Sequence, residues 1–128
     1  MSLGETMKIS KRESKEQETH HKGWGVEIWI ENRPEYCGKL LSFCAGKKTS
    51  MHFHLNKIET MYVGKGAVNI NLIDPENGSP YTVALFQGDS LLIPRGQLHE
   101  IYAVVDTELY EFSTTHEDSD SYRAWKGD

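Results

Sequence analysis

Short apolar stretches alternate with turn-forming residues along most of the chain, from Trp24 onward. Val, Ile, Tyr, Phe and Leu dominate these stretches, and such residues favour strands. No segment keeps the apolar repeat of about 3.6 residues that a helix packed on a core would show. The pattern predicts strands at Gly25–Glu31, Lys39–Cys44, Met51–Leu55, Ile58–Val63, Ala67–Ile73, Tyr81–Leu85, Ser90–Ile93, His99–Val104 and Thr107–Ser113.

The even spacing of these short strands indicates an all-β protein in which antiparallel strands form a sandwich or a barrel. The pattern shows no internal repeat, and we predict one barrel domain over residues 20–113. Residues 1–19 are mostly polar and charged and are predicted to form an N-terminal arm, of which Met1-Ser2-Leu3 is a candidate cloning remnant because a second Met follows at Met7. Residues 114–128 are predicted to form a polar C-terminal tail lying on the barrel.

The composition of the chain mainly argues against certain classes of partner and location. The 128 residues fit one domain, and 38% hydrophobic with 26% charged residues is ordinary for a soluble globular protein. The net charge of −5 and the lack of a Lys/Arg cluster argue against a nucleic-acid partner. No apolar run is long enough for a membrane span, and the start has no apolar signal region, so we expect a cytoplasmic protein with no membrane contact.

The two cysteines, Cys37 and Cys44, are too few for a fold built on disulfides. Cys44 follows the apolar run Leu40-Leu41-Ser42-Phe43. We therefore predict that Cys44 is a buried free thiol that packs as a small hydrophobic residue, and not a catalytic cysteine.

Three histidines and one glutamate fall in or beside predicted strands, at a spacing that suits a shared metal ion. His52 and His54 are two residues apart, and residues at this spacing project from the same face of a strand. Glu59 follows on the next predicted strand, and His99 opens a later one. Three imidazoles and one carboxylate suit Mn, Fe, Co, Ni or Zn better than Ca or Mg, so we expect one divalent transition metal ion.

The same residues resemble the two motifs of the cupin family. The first motif is matched by Gly46, His52, His54, Glu59 and Gly66, and the second by Gly88, Pro94, Gly96 and His99. Ala103 stands where the second motif usually has Asn, which is not a metal ligand. The resemblance implies an antiparallel jelly-roll barrel, the double-stranded β-helix of cupins, with His52, His54, Glu59 and His99 as ligands. It also implies a homodimer.

A less specific resemblance concerns the kind of cupin. The segment from His52 to Glu59 and the ending Glu111-Phe112-Ser113-Thr114 are similar to sugar isomerase cupins of the phosphomannose-isomerase and lyxose-isomerase type. In the lyxose-isomerase type a lysine two residues before the metal-binding glutamate assists catalysis, which implies that role for Lys57. Glu111 lies on a late strand of apolar context, and we take it as the candidate base for proton transfer between adjacent carbons.

Three functions remain open on the sequence alone. The leading one is binding or isomerisation of a small-molecule sugar or sugar phosphate. An iron-dependent dioxygenase could use the same ligands, and so could a non-catalytic module that binds a metal or a sugar. For the side chains, Lys57 could equally be an exposed turn residue and Glu111 a solvent-facing one. His116 is expected to be solvated, and His20-His21 are poor metal candidates.

Overall fold

The computed structural model describes residues 6–14 and 17–128. Within this part of the chain, two short 3₁₀ turns occupy Arg12–Ser14 and Asp118–Asp120, and every longer element is a strand. The strands are β1 (Glu18–Lys22), β2 (Gly25–Asn32), β3 (Cys37–Phe43), β4 (Met51–Phe53), β5 (Glu59–Lys65), β6 (Ala67–Ile73), β7 (Pro80–Phe86), β8 (Ser90–Ile93), β9 (His99–Ala103), β10 (Thr107–Ser113) and β11 (Tyr122–Trp125).

The strands form two antiparallel sheets that share one core. The first sheet has the order β1-β2-β3-β10-β5-β8, and the second has the order β11-β4-β9-β6-β7. Leu41 and Leu109 from the first sheet pack in the same buried cluster as Val68, Ile70 and Ile101 from the second. The predicted all-β antiparallel fold is confirmed. None of the described helices is long and apolar enough to cross a membrane.

Strand alternation decides which side chains enter the barrel. Every second residue of β3 is buried, so Leu41 and Phe43 join the core. Lys39 occupies an inward position of the same strand, and Glu59 and Glu111 do so on β5 and β10. The register places Lys39 directly opposite Glu111. One end of the barrel interior is therefore charged, and the candidate functional site lies at this end.

The sheets extend beyond the predicted barrel at both ends. β1 begins at Glu18, inside the predicted arm, and β11 lies in the predicted tail, where it pairs with β4. Both strands lie at sheet edges and are almost entirely exposed, so their sequences lack the apolar alternation that identifies a strand. The segment Met1-Ser2-Leu3 lies outside the described residues.

The prediction for Cys44 is wrong, because this residue is exposed while Cys37 is buried. β3 ends at Phe43, and Cys44 opens the following turn, where its backbone N–H donates to the carbonyl oxygen of Trp24 at 2.9 Å. Because β3 buries residues 37, 39, 41 and 43, residue 44 would point outward even if the strand continued.

Candidate metal centre

Three histidine side chains meet at the charged end of the barrel. His52 on β4 lies directly opposite His99 on β9, and His54 follows the end of β4. Their ring centroids are 4.3 Å apart for His52 and His99, 5.1 Å for His52 and His54, and 5.7 Å for His54 and His99. One ligand atom from each lies within 4.8 Å of the other two. The structure thus brings together the three histidines that the sequence pattern selects.

Backbone carbonyl groups fix the tautomer of each of these rings. The Nδ1 atoms bond to carbonyl oxygens of Ser50, Asp120 and Gln97, at 2.8 Å for His52, 3.0 Å for His54 and 2.8 Å for His99. A carbonyl oxygen only accepts, so each Nδ1 carries the proton and donates it. The lone pair is left on Nε2 in all three rings, which is the arrangement that orients a histidine ligand towards a metal.

Two of these histidines are also held in the neutral form that a metal requires. Burial, together with the neighbouring His99, lowers the pKa of His52 to about 3. Burial and the positive charge of Lys57 lower the pKa of His54 to about 4. Both imidazoles are therefore uncharged at neutral pH, and protons do not compete for their lone pairs.

Glu59 completes the set from the start of β5. Its Oε1 atom lies 2.9 Å from His99 Nε2 and 3.8 Å from His54 Nε2. Despite the short distance to His99, both Glu59 oxygens and His99 Nε2 are buried and form no hydrogen bond of acceptable geometry. Buried polar atoms without partners are costly, and atoms that converge in this way fit a divalent ion placed between them. The four predicted ligands therefore suit one another and a transition metal.

A buried ion pair lies beside the ligands. Lys57 Nζ donates to Glu111 Oε2 at 3.0 Å, and it lies 3.3 Å from Glu59 Oε2. Both Lys57 and Glu111 are 4% exposed. Neither the exposed turn lysine nor the solvent-facing carboxylate that the sequence left open is therefore correct, and both predicted catalytic candidates lie at the metal centre.

The two partners shift each other's protonation. Burial alone would lower the pKa of Lys57, but the carboxylates of Glu111 and Glu59 outweigh it and raise that pKa above its usual value. Burial raises the pKa of Glu111, and the negative charge of Glu59 adds to this effect. For Glu59, burial alone would raise the pKa, but His99 and Lys57 outweigh it and lower that pKa.

A second ion pair, in which Lys39 is buried and Glu27 partly buried, lies on β2 and β3, and the sequence analysis did not identify it. Lys39 Nζ donates to Glu27 Oε1 at 3.0 Å, and it lies 4.4 Å from the centroid of the Trp29 ring. Trp29 Nε1 donates to the same Glu27 oxygen at 2.7 Å. A signal was present, because Lys39 falls at an inward position between Cys37 and Leu41 in a strand that is otherwise apolar on that face.

Asp120 supports the loop that carries the ligands, and this too was missed. Its carboxylate accepts the backbone N–H groups of Leu55, Asn56 and Lys57 at 2.9–3.1 Å, while its carbonyl oxygen accepts from His54. His116, expected to be solvated, instead bonds to Lys57 Nζ through Nδ1 at 3.1 Å. Both residues lie in the stretch predicted as a tail, and its polar composition carries no sign of these contacts.

A cavity of about 770 Å³ opens over the centre. His52, His54, Lys57, Glu59 and Glu111 line it together. Its walls also include aromatic and charged side chains from β1, β2 and the C-terminal segment, namely His20, Lys22, Glu27, Trp29, His116, Asp118, Arg123 and Lys126. The volume is within the usual range for a small-molecule site.

An antiparallel barrel in which three histidines and one glutamate converge at one end defines a domain with a candidate metal site. The profile of the Cupin family matches residues 48–124. This is more than half of the chain, and the chain therefore belongs to the cupin family. No curated protein matches the chain in sequence.

Solved structures show the same fold. A variant of oxalate decarboxylase from Bacillus subtilis superposes with a TM-score of 0.76 at 15% identity, covering 85% of this chain and 30% of that one. Another structure, from a study of the Mn(II) centres of that decarboxylase, gives 0.75 at 15% identity, with the same coverage. The capsular polysaccharide assembling protein CapF from Staphylococcus aureus gives 0.74 at 16% identity, covering 84% and 34%. The chain thus spans about a third of these proteins, and at such identities the likeness concerns the fold alone.

Proposed function

We propose that this protein is a metal-dependent isomerase that interconverts an aldose and a ketose, with a sugar or sugar phosphate as substrate. The observation that supports this most strongly is the buried pair of Lys57 and Glu111 beside the metal ligands, facing one cavity. Such a reaction moves a hydrogen between adjacent carbons and needs a base and stabilisation of charge, but no redox partner.

His52, His54, Glu59 and His99 would hold the metal ion, and the donor set suits Mn, Fe, Co, Ni or Zn. When bound, the ion would supply Lewis-acid stabilisation of negative charge that develops on sugar oxygens. The Glu59 oxygens and His99 Nε2 support this assignment, since in the described residues none of these buried atoms has a hydrogen bond of acceptable geometry.

Glu111 would act as the base. Its carboxylate takes the proton from C2 of the open-chain aldose. The electron pair of the broken C–H bond forms the C1–C2 double bond, and the π pair of the C1 carbonyl moves onto O1. A proton then passes from O2 to O1, an electron pair of O2 forms the C2 carbonyl, and the C1–C2 π pair takes the proton back from Glu111 at C1, so that the ketose has the same atoms and electrons as the aldose. Burial raises the pKa of Glu111, which makes it a stronger base than an exposed glutamate.

Lys57 would stabilise charge. Its ammonium group lies 3.0 Å from the base, where it can face the negative charge that forms on a sugar oxygen. Because the ammonium group is buried, this interaction is stronger than the same contact in water.

Cationic side chains at the mouth support a substrate with an anionic group. Arg123 on β11 is paired in register with His52, so both project from the same face of the sheet. Tyr122 stacks on Phe53 on the opposite face, with centroids 5.1 Å apart. Arg123 forms no ion pair in the described residues, and Lys22 and Lys126 line the same cavity. These cations favour a sugar phosphate.

The test is a screen of sugars and sugar phosphates in D₂O, under anaerobic conditions, with protein loaded separately with each metal. We expect the isomeric product to carry deuterium on the carbon that received the proton. Glu111→Gln should lower turnover by about a hundredfold or more, whereas Glu108→Gln, an exposed residue of the same strand, should not. Oxygen uptake by the iron-loaded protein would indicate a dioxygenase instead, and tight ligand retention without turnover would indicate a binding module.

A further inference from the structure

We infer that His116 is a positioning residue that fixes the direction of the Lys57 ammonium group. His116 Nδ1 and Lys57 Nζ are 3.1 Å apart, and both side chains line the cavity over the metal ligands. The effect on turnover rests on the proposed isomerase activity, whereas the hydrogen bond itself does not.

The tautomer of His116 is set for accepting this bond. Its Nε2 atom lies 3.0 Å from Asp118 Oδ1, and a carboxylate oxygen only accepts. Nε2 therefore carries the proton, and the lone pair on Nδ1 faces Lys57. This is the reverse of the three metal ligands, whose Nδ1 atoms carry the proton. The three proposed ligands and His116 are thus of two kinds, one able to ligate a metal and one able to accept from an ammonium group.

The backbone of His116 is also held in place, from the end of β2. Its N–H donates to Asn32 Oδ1 at 2.9 Å, and its carbonyl oxygen accepts from Asn32 Nδ2 at 3.0 Å. The ring meets Trp29 edge-on, with centroids 5.1 Å apart. These three contacts fix both the position and the plane of the imidazole.

The contact supplies an acceptor that the ammonium group would otherwise lack. An ammonium group has three protons, and three acceptor atoms surround Lys57 Nζ: Glu111 Oε2 at 3.0 Å, His116 Nδ1 at 3.1 Å and Glu59 Oε2 at 3.3 Å. Glu59 Oε2 forms an ion pair with Nζ but no hydrogen bond of acceptable geometry, so Glu111 and His116 supply the two hydrogen bonds that orient the ammonium group. Without His116, the hydrogen bond to Glu111 would remain, and the ammonium group could turn about that bond.

Two substitutions distinguish the effect of the nitrogen acceptor from the effect of ring packing. His116→Phe keeps a ring against Trp29 but removes the nitrogen acceptor. His116→Asn removes the ring but places an amide oxygen near the position of Nδ1. Thermal melting of both variants checks that they fold, and calorimetry checks that their affinity for the metal equals that of the parent protein.

The first readout is the NMR signal of the Lys57 ammonium group in metal-free, ¹⁵N-lysine-labelled protein. We expect hydrogen exchange at least about tenfold faster in His116→Phe, and close to the parent rate in His116→Asn, because a hydrogen bond to a charged group is worth a tenfold effect or more. The second readout is kinetic. In metal-loaded protein, His116→Phe should lower kcat by about tenfold and change KM by less than about twofold.

An ammonium signal that exchanges at the parent rate in His116→Phe would overturn the inference. So would equal losses in His116→Phe and His116→Asn, which would indicate ring packing in place of an acceptor role. If the parent protein turns over no sugar, the proposed isomerase activity fails, while the exchange measurement still decides whether His116 holds Lys57.

Discussion

Substitution of Lys57 by methionine tests how strongly the site depends on its buried ion pair. Methionine keeps an unbranched apolar side chain but removes the positive charge that lies 3.0 Å from Glu111 Oε2 and 3.3 Å from Glu59 Oε2. Both carboxylates are almost fully buried, at 4% and 2% exposure, so water cannot replace the lost cation. Removal of one member of a buried ion pair typically costs about 3–5 kcal/mol. We expect the free energy of unfolding of the metal-free protein to fall by that amount.

The matched control is Lys65→Met, an exposed lysine at the end of β5. A surface substitution of this kind should change the free energy of unfolding by no more than about 0.5 kcal/mol. Glu111→Gln and the double variant Lys57→Met/Glu111→Gln complete a double-mutant cycle. Because a neutral amide no longer needs the ammonium group, the double variant should be less destabilised than the sum of the single variants, by about 2 kcal/mol or more.

Urea unfolding in the presence of a chelator measures all four variants and the parent under the same conditions. A cost below about 1 kcal/mol for Lys57→Met would refute the reasoning, because that value is typical of an exposed ion pair. In the metal-loaded protein, the same variant should keep its metal content and lose turnover by about a hundredfold. Parental turnover in Lys57→Met would remove the most specific support for the isomerase.

Three further predictions concern the metal ligands and the assembly. The pKa of His54 is near 6.5 in the unfolded chain but about 4 in the folded protein, so acid favours unfolding. As the pH falls from about 7.5 to 5, the free energy of unfolding of the metal-free protein should decrease by about 2 kcal/mol because of this residue. Urea denaturation at a series of pH values should show that His54→Asn removes this part of the pH dependence. Glu59→Gln should weaken binding of Mn or Zn by about tenfold or more in calorimetry, and unchanged affinity would contradict its role as a ligand. The predicted homodimer would use the outer face of the first sheet, where Phe112 and Leu92 are both more than half exposed. Light scattering should then show a dimer that Phe112→Asp converts to a monomer, whereas a monomeric parent at micromolar concentration would contradict dimerisation.

The four proposed ligands could be found from the sequence partly through local geometry and partly through a spacing that resembles the cupin motifs. His52 and His54 share a face through the two-residue period of a strand, and β5 begins at Glu59 after one short connection. Ala67–Ile73 was predicted with its observed bounds because the face it buries is apolar. Thr107–Ser113 was also predicted with its observed bounds, although Leu109 is the one apolar side chain among the three residues that this strand buries. At these positions, the alternation of the sequence and the burial in the folded barrel assign the side chains to the same face.

The orientation of Lys57 could not be predicted, because it lies in the loop between β4 and β5 and no strand period applies there. The loop is held by Asp120, whose carboxylate accepts three successive backbone N–H groups ending at Lys57. That contact joins residues 63 positions apart. A single sequence contains no signal for such a pairing, and in composition the partner segment resembles a solvated tail.

The metal-binding motif and the acid–base groups therefore depend on different parts of the chain. The ligands lie between His52 and His99, but the carbonyl group that orients His54 and the imidazole that accepts from Lys57 both come from the segment after β10. A chain that kept the motif and changed this segment could retain a metal while losing the fixed directions of its ammonium and carboxylate groups. Substitution of His116 should consequently separate metal affinity from turnover, which substitutions among the four ligands cannot do.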